Sequence, residues 1–121
     1  NVNLKNEDDT PLNLSIIQKT YDLIVWYIPI LNKLPRDHKF NLGDKIITRL
    51  YNLLESLIKA KYSKDKLNLL QNINLELTLL RYQNRLLLDF NLFSKEKHEL
   101  VANQVDEIGK ELYHWLESIK L

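Results

Sequence analysis

The sequence contains few side chains that could perform catalysis or hold a metal. One Glu-x-x-His motif, Glu111 with His114, has the spacing that di-iron carboxylate bundles use. Those sites need two such motifs and further carboxylates that point inward, whereas this chain carries one motif. His114 falls on the side of its helix that faces away from the apolar residues, and neither His38 nor His98 has an evident partner. We therefore expect no metal site.

Other enzyme motifs are missing as well. The chain has no glycine-rich phosphate loop and no nucleophile motif, and it has no cysteine for a disulfide or a thiolate metal site. Glu76 and Asn84 project towards the apolar face of their helix, and we interpret them as a buried polar network, because a lone carboxylate is not a metal site. We expect a protein that is not an enzyme and that takes neither a cofactor nor a small-molecule substrate.

Basic residues form the second chemical feature. The net charge is +1, but residues 1–32 carry −2, residues 33–66 carry +5 and residues 67–121 carry −2. Lysine and arginine side chains bind phosphate by point charge and by forked hydrogen bonds. The candidates for nucleic-acid phosphate contact are Arg36, Lys39, Lys59, Lys61, Lys64, Lys66, Arg81 and Arg85. The alternative is a solvated surface that Asp37 and Asp65 partly neutralise.

Hydrophobic periodicity places these residues on helices. Two glycines, three prolines and almost no period-2 alternation predict an all-α protein. We predict a flexible lead-in over residues 1–13 and a four-helix bundle over residues 14–121. The predicted helices are Ser15–Lys33 with a kink at Pro29, Leu42–Tyr62 with Asn41 as N-cap, a third that Ser63 caps and that runs to Phe90, and Lys95–Lys120 capped by Ser94. Short connections, including the predicted loop at residues 36–41, make consecutive helices antiparallel, in an up-down-up-down order.

Each predicted helix has an apolar face for the core. Its members recur at helical spacing. They are Ile17, Tyr21, Ile24, Ile28 and Leu31 in the first helix; Ile46, Leu50, Leu53 and Leu57 with Ile47, Leu54 and Ile58 in the second; Leu69, Leu70, Ile73, Leu77, Leu80 and Leu87 in the third; and Val101, Val105, Ile108, Leu112, Trp115 and Ile119 in the fourth. Gly109, beside the last seam, predicts the close approach of a neighbouring helix.

The third predicted helix has a second apolar stripe almost opposite its core face. Leu75, Leu79, Tyr82 and Leu86 recur at i, i+4, i+7 and i+11. In water they would expose several hundred Å² of contiguous apolar surface, which monomers rarely do. We therefore predict that they form an oligomer interface. The alternative is that the lead-in or the kinked first helix covers them.

Four segments resemble a family of small four-helix-bundle proteins of bacteria. The segments are PRDHKFNLGDKI (35–46), KAKYSKDKLNLL (59–70), LRYQNRLLLDFNLFS (80–94) and VDEIGKELYHWLES (105–118). That family includes Avd, the accessory variability determinants of diversity-generating retroelements, and proteins encoded in 23S rRNA intervening sequences.

The resemblance implies a homopentameric barrel of bundles. It also implies a partner of a retroelement reverse transcriptase that binds RNA or DNA and supports mutagenic reverse transcription of a template RNA. The alternative that the same resemblance leaves open is an intervening-sequence-type bundle that acts as a protein-binding scaffold without nucleic-acid affinity. Because there is no signal peptide and no apolar run long enough for a membrane span, we expect a cytoplasmic protein.

Overall fold

The computed structural model describes the backbone of residues 11–120 and the side chains of residues 14–120. Within that range there is no strand, and the elements are α1 (Pro11–Leu31), α2 (Arg36–His38), a π-helical turn (Lys39–Gly43), α3 (Asp44–Tyr62), α4 (Lys66–Asp89) and α5 (Lys95–Ile119). The helices α1 and α4 each pack against both α3 and α5, so α1 and α4 lie at diagonal corners. This confirms the predicted all-α, four-helix bundle.

Most of the predicted core is confirmed. The buried residues of the long helices recur at the predicted spacing in α3, α4 and α5, so each of these helices gives one face to a common core. The buried members are Ile46, Leu50, Leu53 and Leu57 of α3, Leu70, Ile73, Leu77, Leu80 and Leu87 of α4, and Val101, Val105, Ile108, Leu112 and Trp115 of α5. The other predicted core residues of α3 are less buried. Ile47 and Leu54 are half-buried, and Ile58 is exposed.

The predicted inner face of α1 is rotated by about one residue from the observed one. Of the five predicted residues, Ile24 and Leu31 are buried, Ile17 and Ile28 are half-buried and Tyr21 is 53 % exposed. The fully buried Ile16, Leu23 and Tyr27 were not predicted. The helix is apolar on most of its circumference, so the sequence pattern does not single out one face. The helix also begins at Pro11, inside the predicted lead-in, where the fixed φ of proline suits a first helical turn. Residues 1–10 lie outside the described part of the chain.

The prediction of a loop at residues 36–41 is wrong, because this segment is helical throughout. Asn41 is not an N-cap. It lies in the π-helical turn, and its side-chain amide donates to the carbonyl oxygen of Asp37 at 2.7 Å. Gly43 ends this turn, and a Cβ there would come within 3.3 Å of the carbonyl oxygen of His38. Glycine therefore lets the turn pack tightly before α3 begins.

Ser63 was predicted to cap the third helix, and that prediction is also wrong. The helix begins at Lys66, and the Ser63 hydroxyl instead accepts a hydrogen bond from the backbone N–H of Asp65 at 3.1 Å. Lys66 caps the C-terminal end of α3, because its Nζ donates hydrogen bonds to the carbonyl oxygens of Ala60 and Lys61 at 2.9 and 2.8 Å. A lysine thus closes one helix while it starts the next.

The connection from α4 to α5 has a well-defined cap on each side. Asn91 has a φ of 60°, the left-handed conformation that follows many helix ends, and its backbone N–H donates to the carbonyl oxygen of Leu88. Ser94 is the N-cap of α5, and its hydroxyl accepts from the backbone N–H of Lys97 at 3.1 Å. The predicted cap at Ser94 is confirmed.

Candidate interaction surfaces

The second apolar stripe of α4 lies on the outside of the bundle. Leu75, Leu79, Tyr82 and Leu86 are 54, 37, 70 and 41 % exposed. No described residue covers this outer stripe, so the alternative that α1 shields it does not hold for residues 14–120. The stripe is available as an interface, whereas its role in assembly stays a prediction.

A second apolar surface lies where α1 and α3 run side by side. The other flanks of these helices carry Lys19, which reaches Glu107 of α5, and Arg49, which reaches Glu76 of α4. The flanks that remain face the α1–α3 boundary. This α1/α3 surface consists of the exposed residues Tyr21, Val25, Tyr51, Ile58 and Tyr62 and the half-buried residues Ile17, Ile28, Ile47 and Leu54. Sequence reasoning missed it because Tyr21, Ile17 and Ile28 were assigned to the core.

At the α3–α4 turn, most of the predicted phosphate-binding lysines make intramolecular contacts. Lys61 is 7 % exposed, and its Nζ lies 4.9 Å from the centroid of the Tyr62 ring. Lys66 caps α3 through two backbone carbonyls. Lys59 pairs with Glu55 at 3.2 Å, one turn earlier on the same exposed side, and Lys64 is exposed. This turn therefore presents less free positive charge than its sequence suggests.

The opposite end of the bundle combines basic and aromatic side chains. Arg36 is exposed, and the Nζ of Lys39 lies 5.2 Å from the centroid of the exposed Phe40 ring. The rings of His38 and Phe90 are 5.7 Å apart, and Phe90 is half exposed. We call Arg36, His38, Lys39, Phe40 and Phe90 the α2 end. Exposed rings beside cations are the arrangement on which single-stranded nucleic-acid bases stack.

Arg81 and Arg85 lie one turn apart on the flank of α4 that faces α5. The Nε of Arg81 donates to Asp106 of α5 at 3.4 Å, and the Nε of Arg85 donates to Asp89 at 3.4 Å. A Cβ at Gly109 would lie 2.6 Å from an Nη atom of Arg81. The close approach predicted at Gly109 is therefore made by an arginine side chain of the neighbouring helix.

The polar residues expected to form one buried network separate into two places. The buried Asn84 accepts a hydrogen bond from the hydroxyl of Tyr27 at 2.6 Å, which links α1 to α4 across the core. Burial raises the pKa of the Tyr27 hydroxyl, which keeps it protonated as the donor. Glu76 lies instead at the α3–α4 boundary, where its partly buried carboxylate pairs with Arg49. A polar groove of about 500 Å³ opens beside this pair.

The Glu-x-x-His motif is divided between two environments. Glu111 forms an ion pair with Lys19 of α1 at 2.7 Å, whereas His114 is exposed. The hydrogen bond that Lys19 donates to Glu111 raises the pKa of Lys19, and the one that it donates to Glu107 lowers the pKa of Glu107. Among the described residues, no group of three or more histidine and carboxylate side chains is placed to bind a metal ion.

A family model described as bAvd-like matches residues 14–119. The chain belongs to the bAvd-like family. No protein with a curated description matches it.

The bAvd-like match confirms the resemblance drawn from the sequence. It covers all four long helices from Leu14 onward, including the outer stripe of α4 and the α2 end. In residues 11–120 no helix is long and apolar enough to cross a bilayer. The family match supports an Avd-type accessory protein.

Proposed function

We propose that this protein is a non-enzymatic accessory subunit that assembles into a closed ring and binds a retroelement reverse transcriptase together with RNA or DNA. The observation that carries the proposal is the exposed outer stripe of α4 in a chain of the bAvd-like family. The reverse transcriptase and the nucleic acid are the partners that the resemblance to Avd implies.

The arrangement of the apolar surfaces favours a ring. The outer stripe lies on α4, and the α1/α3 surface lies on a different side of the bundle. When one surface of a subunit packs on a different surface of the next, the contact is head-to-tail, and it generates a ring if the rotation closes. Five subunits are the number that the family resemblance implies.

The assembly has a direct test. Native mass spectrometry should give five times the chain mass of 14.4 kDa. Leu79→Glu and Leu86→Glu should release single chains with unchanged helicity, because both positions lie outside the core. Asn74→Glu, an exposed position on the same helix, is the matched control and should leave the ring intact. Leu77→Glu should unfold the chain, since it buries an unpaired charge. A wild-type monomer at micromolar concentration would refute the ring.

The α2 end supports single-stranded nucleic-acid binding. In a ring, its cations and rings would repeat around one rim, so that one flexible strand could touch several subunits. Affinity should then fall steeply with salt, by about 10³-fold or more between 50 and 200 mM if six or more phosphates are engaged.

The nucleic-acid test compares two double charge reversals by titration of labelled single-stranded RNA and DNA. Arg36→Glu with Lys39→Glu should lower affinity and flatten the salt dependence. Lys110→Glu with Lys120→Glu should change both less, because these lysines already pair with Glu107 and Glu117. Equal losses in the two variants would show that net charge, and not the α2 end, drives binding.

One observation favours the alternative function, a protein scaffold without nucleic-acid affinity. Six of the eight predicted phosphate-binding residues make intramolecular contacts: Lys39, Lys59, Lys61, Lys66, Arg81 and Arg85. If wild type binds neither RNA nor DNA at about 50 mM salt, where phosphate contacts are strongest, the scaffold function replaces the proposed one. Co-purification with the reverse transcriptase encoded beside it, or a location within an rRNA gene, distinguishes the two settings.

A further inference from the structure

A cavity of about 200 Å³ opens between α4 and α5, apart from the outer stripe and the α2 end. It is several times larger than the roughly 30 Å³ that one water molecule occupies in the liquid. Its lining comes from one turn of α4 and two turns of α5, at helical spacing. The lining residues are Arg81, Asn84, Arg85, His98, Ala102 and Asp106.

The floor of the cavity holds a buried polar group that lacks a partner. Asn84 is 2 % exposed, and its Nδ2 makes no hydrogen bond with any described residue. Its Oδ1 is already used, since the 2.6 Å contact with the Tyr27 hydroxyl has the length of an O–H···O bond and is short for an N–H···O bond. The unpartnered N–H groups of the amide therefore lie beneath the cavity lining, with less than 1 Å² of accessible surface. A buried donor left unsatisfied costs about 1–3 kcal/mol, so this position favours a ligand that accepts hydrogen bonds.

Further donors line the walls. Arg81 and Arg85 each donate through Nε to an aspartate, and each guanidinium carries further donors on its Nη atoms. Arg81 can lie across α5 because Gly109 has no Cβ. The imidazole of His98, in the first turn of α5, completes the rim. Asp106 is the one carboxylate in the lining, and it positions the Arg81 guanidinium.

The balance of these groups defines the ligand. Asp106 in the lining and Asp89 beside it each pair with one of the two guanidinium groups, so the charges largely cancel, and the site offers hydrogen-bond donors more than net charge. The donors come from two helices and include two forked guanidinium groups, which match the several oxygens of a phosphate better than the two of a carboxylate. We propose that the α4/α5 cavity is a binding site for a phosphate group, with the Asn84 amide at its floor and Arg81 and Arg85 at its walls.

The phosphate can come from two sources, a free phosphate ion or the backbone of a nucleic acid. The site does not depend on the proposed function, because inorganic phosphate alone tests it. If the source is nucleic acid, the cavity adds a second contact point, on α4 and α5, to the one at the α2 end.

The test is an NMR titration of the full chain with sodium phosphate, with sodium acetate and sodium chloride at matched ionic strength. The reporter is the side-chain amide signal of Asn84. Phosphate should move this signal along a saturating curve, with a smaller effect from acetate and none from chloride. A linear response, or one that acetate or chloride reproduces, would mean non-specific screening and would overturn the proposal.

Two variants and two matched controls locate the site. Ala102→Leu fills the cavity without changing any charge, and Arg85→Gln removes one wall donor, so each should weaken phosphate binding roughly tenfold, equivalent to about 1.4 kcal/mol. Asn103→Leu places the same side chain on the exposed side of α5, and Lys110→Gln removes a charge outside the cavity. Both controls should bind as wild type does. Unchanged affinity in Ala102→Leu, with helicity and melting temperature retained, would overturn the proposal.

A single-stranded oligothymidylate then identifies the source. If it moves the Asn84 signal and inorganic phosphate competes with it, the cavity takes a backbone phosphate. If phosphate moves the signal and the oligonucleotide does not, the cavity takes free phosphate. Any nucleic-acid binding then involves the α2 end and not the cavity. If neither moves the signal, the cavity is not a phosphate site, whatever the oligonucleotide does elsewhere.

Discussion

Gly109→Ala tests the contact between α4 and α5 most sharply. Gly109 lies in the interior of α5, where a Cβ would meet the Nη2 of Arg81 at 2.6 Å. The other atom of a neighbouring residue within 4 Å of that Cβ is the Arg81 Cζ, at 3.8 Å. The clash involves the far end of a flexible side chain, which can swing away without moving either helix.

Two terms of opposite sign decide the result. Replacing glycine by alanine in a helix interior stabilises the helix by about 1 kcal/mol. Moving Arg81 breaks its pair with Asp106, and this largely exposed pair contributes about 0–1 kcal/mol. We therefore expect a net change in the free energy of unfolding between about 0 and +1 kcal/mol. The upper limit corresponds to a rise in melting temperature of roughly 3–5 °C for a chain of this length.

A double-mutant cycle with Arg81→Gln separates the two terms. In the Arg81→Gln background the new Cβ meets no guanidinium, so Gly109→Ala should stabilise by the full amount, about 1 kcal/mol. Urea unfolding followed by circular dichroism measures all four chains. A loss of more than about 1 kcal/mol in both backgrounds would refute the reasoning, because it would show that the Cβ meets the backbone of α4 and not the arginine. Gly109→Ala should also weaken phosphate binding in the α4/α5 cavity by displacing the guanidinium.

Two further changes test the turn and the α1–α5 contact. Asn91→Ala should destabilise by about 1 kcal/mol and Asn91→Gly should not, because alanine tolerates the φ of 60° poorly; thermal unfolding of both variants checks this. Lys19→Met should flatten the acid side of the stability profile. The lowered pKa of Glu107 contributes stability that is present above its ordinary value of 4.5 and is lost as the pH falls through the lowered one. Urea unfolding between about pH 3 and pH 7 measures this, and a variant that keeps the wild-type slope would contradict it.

The sequence by itself determined the four long helices and three of their four core faces. In α3 and α5 the apolar residues repeat at helical spacing against polar neighbours, which leaves one side to bury, and in α4 the longer of the two opposite apolar stripes is the buried one. The outer stripe of α4 followed from the same periodicity, because a second apolar stripe opposite the first cannot reach the core of the same bundle. The cap at Ser94 was also predictable, since its hydroxyl accepts a hydrogen bond from the backbone N–H of Lys97, three residues later.

Tertiary structure decided the features in which several local arrangements are comparable in energy. The helix α1 is apolar on most sides, so packing against α3 and α5 selected Tyr27 for the core and left Tyr21 outside. The segment after Pro35 carries weak local signals, yet it is helical, and at its end Gly43 packs so closely that a Cβ there would meet Leu31, Leu34 and His38 within 4 Å. The sequence suggests that Lys61 and Lys66 are solvent-exposed cations, whereas the folded α3–α4 turn buries Lys61 and places Lys66 against the backbone carbonyls of α3.

The α4/α5 cavity is also a feature that only the tertiary structure decided. Its floor exists because Tyr27, 57 residues away in sequence, takes one half of the Asn84 amide and leaves the other half without a partner. Its wall exists because Gly109 admits Arg81 from a neighbouring helix. Periodicity reports which side of a helix is apolar, but it does not report which residues of two helices meet. That pairing is fixed by how the helices pack, and the chemistry of the cavity follows from it.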